Sequence, residues 1–188
     1  EAASRDLKRI TLELGGNDPA IVMPDVDVAE IAPKLFWAAF NNNGQICIAT
    51  KRMYIHKDIY APLRDAIVEY AKTVKVGDGS EQGTQIGPVQ NRMQFEKIKE
   101  FLADAREKGT VLAGGEALDR PGFFIPPTIV RDLPDDAKLV QEEQFGVTVR
   151  CHQLTFDALI LQSAGDPALQ LPWLNDLLLC IVQLATIA

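Results

Sequence analysis

Apolar positions change their period along this chain, and the changes mark its elements. Residues 12–14 and 20–23 are short apolar segments suited to buried strands. After Asp27 the apolar residues Ile31, Leu35 and Ala39 recur at helical spacing, which predicts a helix capped by the Asp27 carboxylate. Three asparagines and a glycine at 41–44 end it and turn the chain into Cys47. Residues 52–56 have strand character, and Asp58 opens a second helix with Leu63, Ile67 and Ala71 on one face. Residues 74–76 lead into a loop punctuated by Gly77, Gly79, Gly83 and Gly87. A long helix is expected over 91–108, its apolar stripe built from Phe95, Ile98, Phe101, Leu102 and Ala105. Residues 110–113 with Gly114 and Gly115 read as strand and turn, and Pro126 and Pro127 hold 123–130 extended. Helices alternating with strands predict an α/β fold with a largely parallel sheet and flanking helices.

The pattern shifts after Gly146. From 147 to 188 the only charged residues are Arg150, Asp157, Asp166 and Asp176, and leucines crowd in. Two segments are therefore expected: 1–146 as the α/β portion and 147–188 as a leucine-rich tail of different character. The tail's longest uninterrupted apolar stretch, 177–182, is far short of the roughly twenty residues a spanning helix needs.

Bulk numbers narrow the function classes. The 188 residues can build one substantial core. A formal charge of −7 argues against nucleic acid and anionic membranes as partners, both of which select basic patches. No positively charged N-terminal region leads into an apolar stretch, so no signal peptide is expected. Three cysteines without regular spacing make no disulfide framework and suit a reducing, cytoplasmic setting. No His, Cys or carboxylate cluster has metal-ligand spacing. The glycines from Gly77 to Gly87 do not join a strand to a helix in the dinucleotide pattern.

The chemistry lies in three runs. The first is Leu12-Glu13-Leu14-Gly15-Gly16-Asn17-Asp18-Pro19, a carboxylate beside a glycine pair that lets backbone approach a ligand. The second is Phe40-Asn41-Asn42-Asn43-Gly44-Gln45-Ile46-Cys47-Ile48-Ala49. A lone cysteine in an α/β protein is usually a small buried hydrophobe. Cys47 instead follows a polar stretch that no core would prefer, at a helix exit where a loop can present it to a cleft. The third is Glu142-Glu143-Gln144-Phe145-Gly146, which by itself reads as an acidic solvated loop. A thiol nucleophile with a carboxylate that activates water is what aldehyde oxidation through a thioester requires.

These runs resemble the glutamate and cysteine signatures of the aldehyde dehydrogenase family, and the separation of Glu13 from Cys47 resembles the family's too. The likeness runs from about Arg9 to Gly146. It implies the family's catalytic domain, incomplete at both ends, with a Rossmann-type cofactor domain and an oxyanion asparagine expected in a longer relative and not in this chain. It implies Cys47 as nucleophile and Glu13 as the base that activates water. It implies NAD or NADP as cofactor, with Glu143 on the nicotinamide ribose, Phe145 beside the nicotinamide ring, and Leu14, Gln94 and Lys97 as further contacts. Ile46 and Ile48 are implied to line an apolar tunnel for a small aldehyde, and full-length relatives to be homo-oligomers. Two rivals stand beside this reading. One is a fragment without turnover. The other is a cysteine hydrolase, with His56 as its histidine base outside the tail; on sequence grounds His56 reads as a strand-end surface residue.

Overall fold

The computed structural model describes residues 7–12 and 14–154. Five strands form one sheet in the order β1-β2-β5-β4-β3: β1 (Asp18–Val22), β2 (Thr50–His56), β3 (Thr110–Ala113), β4 (Thr128–Arg131) and β5 (Thr148–Leu154). Pairs β1–β2, β2–β5 and β4–β5 are parallel, and only β3 runs antiparallel to its neighbour β4. This is the mostly parallel sheet with flanking helices that the alternation predicts.

Four α-helices are present among the described residues: α1 (Val28–Phe40), α2 (Tyr60–Lys72), α3 (Arg92–Lys108) and the short α4 (Lys138–Gln141). Local chemistry starts two of them. The Asp27 carboxylate accepts from the Glu30 N–H at 3.0 Å, and the Asn91 side chain accepts from the Gln94 N–H at 2.8 Å, each satisfying an orphan first-turn donor. Asp58 does not cap α2. That helix begins from Ile59 without a side-chain cap, and Asp58 instead donates its backbone N–H to His56 Nδ1.

Helices cover both faces of the sheet. Phe36 and Phe40 of α1 and Leu63 and Ile67 of α2 pack on Met53, Ile55, Val149 and Cys151. On the other face Phe101 and Ala105 of α3 meet Val130, Leu133 and Leu139. Full burial of each large apolar side chain contributes about 1.5–3 kcal/mol, so these layers hold the strands in register.

Three expectations need correction. Residues 12–14 form no described strand; Leu12 and Leu14 are exposed, and Leu14 keeps 83% of its surface. An apolar run becomes a strand only where a neighbour supplies the ladder, and pairing in this sheet starts at Asp18. His56 is not a surface residue: it is 6% exposed, closed in at the end of β2. The sheet also does not stop at Gly146. β5 lies at its centre, between β2 and β4, with Val149 and Cys151 in the core. Arg150 is carried there because its guanidinium finds the Leu133 carbonyl at 3.1 Å and the Asp135 carboxylate at 3.0 Å. The rest of the leucine-rich segment, from 155, lies outside the described residues, as does Glu13. No helix among the described residues is long and apolar enough to cross a membrane.

Candidate active site

Parallel pairing explains why three distant runs meet. β1, β2 and β5 are adjacent and parallel, so the segments entering them lie side by side at one end of the sheet. Gly16 enters β1, Cys47 enters β2, and the 143–146 run enters β5.

The nucleophile loop has unusual backbone. Asn42, Asn43 and Gly44 take φ values of 49°, 62° and 68°, three successive left-handed residues. Asparagine and glycine are the residues that tolerate this region. Side chains lock the turn: the Asn42 amide donates to the Gln45 carbonyl and the Gln45 amide donates to the Asn42 carbonyl, each at 3.2 Å. Gln45 Oε1 also accepts from the Gln90 N–H at 2.8 Å. The Ala49 N–H then donates to the Ile46 carbonyl at 3.1 Å, which leaves Cys47 in the turn just before β2. Its thiol is free and half-buried.

Glycines set the packing of this end. A Cβ at Gly16 would strike the Cys47 carbonyl, and one at Gly44 would strike the Gly146 carbonyl. Gly44→Ala combines that overlap with a strained left-handed alanine. It is expected to lower stability by about 2 kcal/mol or more. Urea denaturation measures this, and an unchanged midpoint would contradict the packing.

Glu143 joins the first and third runs. Its Oε1 accepts from the Gly16 N–H at 2.8 Å, and the carboxylate fills the space where a side chain at Gly15 would stand. Asp18 sits close by. Burial raises its carboxyl above the usual range, Arg52 opposes that rise, and Glu143 adds to it. Arg52 in turn donates to the Asn17 carbonyl at 2.8 Å. Phe145 adopts φ 48°. Its loop is pinned from α3: the Gln94 amide donates to the Gln144 and Phe145 carbonyls, and Lys97 Nζ donates to the Glu143 carbonyl at 3.2 Å. Gln94 and Lys97 are thus neither idle surface residues nor remote from the third run. Ile46 is half-buried, whereas Ile48 is 77% exposed, so no closed tunnel surrounds Ile48 among the described residues.

A cleft of about 450 Å³ opens beside this loop, lined by Asn42, Gln45, Gln90, Asn91, Gln94 and Phe145. A cleft of about 530 Å³ reached by Tyr60, Asp132, Cys151 and His152 holds none of the three runs. An aromatic ring and side-chain amide groups line the first cleft, while the Glu143 carboxylate lies outside that lining, against Gly15 and the Gly16 N–H. Among the described residues no group of three or more His, Cys, Asp or Glu could hold a metal ion.

The hydrolase rival fails on distance. Cys47 precedes β2 and His56 ends it, so at ~3.3 Å per residue the strand alone puts about 20 Å between them. A general base must reach within about 3 Å of its proton or act through one water. His152 pairs with Tyr54, about 13 Å along the same strand at ~3.3 Å per residue, and is also out of reach.

Comparison with known proteins decides the family. The profile of the aldehyde dehydrogenase family matches residues 1–158. The chain belongs to the aldehyde dehydrogenase family. It is 48% identical over 147 residues to a probable aldehyde dehydrogenase of a Pseudomonas species, covering 77% of this chain and 30% of that one. It is 43% identical over 145 residues to an NADP-dependent succinate-semialdehyde dehydrogenase of Mycobacterium avium, covering 77% and 31%. The fold matches an NAD+ complex of an aldehyde dehydrogenase from Bacillus cereus with a TM-score of 0.77 at 34% identity, over 87% of this chain and 34% of that one. The chain therefore spans about a third of the length of the aldehyde dehydrogenases it matches. The family match also passes Gly146 and takes in β5.

Sequence reasoning missed Lys51. A signal was present, because Lys51 and Arg52 open a strand that is paired on both sides. Such strands read as near-continuous apolar runs, and a cation inside one has to be explained by a partner.

Proposed function

We propose that this aldehyde dehydrogenase chain carries the reacting half of an NAD(P)-dependent oxidation of an aldehyde to a carboxylic acid. The observation that most supports it is the convergence of the Cys47 turn, the Gly15–Gly16 backbone and Glu143 at one end of β1, β2 and β5. The Cys47 thiolate attacks the aldehyde carbon, and the carbonyl oxygen takes negative charge beside the backbone N–H groups of the Cys47 turn. Glu143, Phe145 and Gln94 would hold the nicotinamide portion of the cofactor. When bound, that cofactor accepts the hydride whose loss turns the thiohemiacetal into a thioester on Cys47. Glu13 then takes a proton from water, the hydroxide adds to the thioester, and the acid leaves with the thiolate restored. A thiol with this task requires reducing surroundings.

Residues 1–188 alone are expected to turn over far below one per second. Among the described residues no glycine-rich turn joins a strand to a helix in the dinucleotide pattern, so the contacts at Glu143 and Phe145 are expected to bind the cofactor weakly by themselves. Absorbance of reduced cofactor, with acetaldehyde or benzaldehyde and NAD or NADP, checks this; turnover at ordinary enzyme rates would contradict it.

Thiol reactivity tests the nucleophile directly. Cys151 is 1% exposed, and burial pushes its thiol up to about 12 from 9.0. Substoichiometric iodoacetamide should label Cys47 well before Cys151, as peptide mapping would read. Preferential labelling of Cys151 would remove Cys47 from its role. The same burial has a pH consequence. The neutral buried thiol stabilises the fold fully below pH 9, and that contribution is lost as pH rises through 9 to 12. Cys151→Ala should flatten the alkaline fall in thermal stability over that window.

A further inference from the structure

Between the Cys47 turn and the Phe145 loop lies a lysine that neither run of the mechanism uses. Lys51 is 1% exposed, one of the largest fully buried side chains among the described residues. Its Nζ donates to the Gly44 carbonyl at 2.7 Å and to the Gly146 carbonyl at 2.6 Å, both bonds buried. Gly44 stands three residues before Cys47, and Gly146 directly follows Phe145. A Cβ at Gly44 would meet both Lys51 Nζ and the Gly146 carbonyl, so the loops approach each other across the ammonium.

We propose that Lys51 is a positioning residue whose buried ammonium clasps the nucleophile loop to the loop carrying Glu143 and Phe145, so that the two halves of the site are ordered together. The functional consequence rests on the reading of Cys47 as nucleophile; the clasp itself does not. A charged donor is costly to bury and is kept only where strong acceptors receive it. Here the acceptors are two main-chain carbonyls from separate loops, one in left-handed backbone that helix or sheet cannot satisfy. An apolar residue of similar length would fill the space and leave both carbonyls without that donor.

Electrostatics point the same way. Burial pushes the Lys51 ammonium down to about 7 from 10.5, and Glu143 opposes the fall. Glu143 also raises the Asp18 carboxyl, a rise that the Arg52 charge opposes. The two carbonyls likewise favour the charged form. Loss of the proton above neutrality therefore weakens both loop contacts at once.

Amide hydrogen exchange of the 188-residue chain, read by mass spectrometry on peptides spanning 42–49 and 142–147, tests the clasp. In wild type the two peptides should loosen in parallel between pH 6 and pH 9, after correction for intrinsic exchange. Lys51→Met should lower protection in both by about tenfold, the size expected for losing charge-assisted hydrogen bonds. Lys51→Arg, which keeps charge and donors, should abolish the pH-linked loosening. Should Lys51→Met not fold, the wild-type and Lys51→Arg comparison decides. The pH profile of Cys47 alkylation supplies the readout that mere packing would not move. Wild type should depart from a single ionisation near pH 7, and Lys51→Arg should restore a single ionisation. Unchanged protection in Lys51→Met, or loosening of one loop alone, would overturn the clasp. If Cys47 proves unreactive while both loops still respond together, the nucleophile reading fails and the clasp stands.

Discussion

Grafted in place of the matching segment of its Pseudomonas relative, the chain is expected to support aldehyde oxidation, and Cys47→Ala is expected to abolish it, by about ten-thousandfold or more. The size follows from the role. Without the thiol no covalent intermediate forms, and removal of a nucleophile costs far more than removal of a group that assists it. Binding should survive, because Gly16, Glu143 and the Phe145 loop are held by contacts that do not involve the Cys47 side chain. Cofactor binding to the inactive variant, followed by fluorescence quenching, separates lost chemistry from lost folding. A graft that keeps more than a hundredth of its rate after Cys47→Ala would place the nucleophile elsewhere.

Much of the fold was legible because local chemistry and burial agreed. Asp27 marks α1 through the side-chain cap that the sequence predicts, and α3 begins next to Asn91, where the structure adds a second side-chain cap. The stripe Ile98, Phe101, Leu102 and Ala105 is buried as its spacing predicts. The turn at 41–44 was visible as a cluster of residues suited to left-handed backbone. What escaped depended on partners distant in sequence. Residues 12–14 have strand composition but no described ladder. His56 and Arg150 look like surface residues until neighbouring strands and the Leu133–Asp135 segment close over them. The change of composition after Gly146 suggested a break, yet β5 is drawn to the sheet centre because its backbone pairs on both edges.

The site divides in the same way. Cys47 and Glu143 stood out through their runs, but the contact between Glu143 and the Gly16 N–H could not be read from residues 127 apart in sequence. Gln94 and Lys97 were named as cofactor contacts. The structure adds that they brace the loop bearing Glu143 and Phe145. Lys51 was passed over because a lysine after a loop ordinarily reads as solvated.

Glu13→Gln in the graft is expected to cut steady-state turnover by about a hundredfold to ten-thousandfold, the usual worth of a general base. It should leave a rapid first burst of reduced cofactor, since only hydrolysis of the thioester needs activated water. Loss of the burst with an unchanged steady state would assign Glu13 another task.

That variant also permits the most direct test of the central claim. With benzaldehyde and NAD or NADP present, the Glu13→Gln graft should accumulate an acyl-enzyme that survives acid quenching and digestion. Mass spectrometry of the peptides should find the benzoyl group on Cys47, released by hydroxylamine as a thioester. A benzoyl group on any other residue, or turnover with no covalent acyl intermediate, would contradict the account.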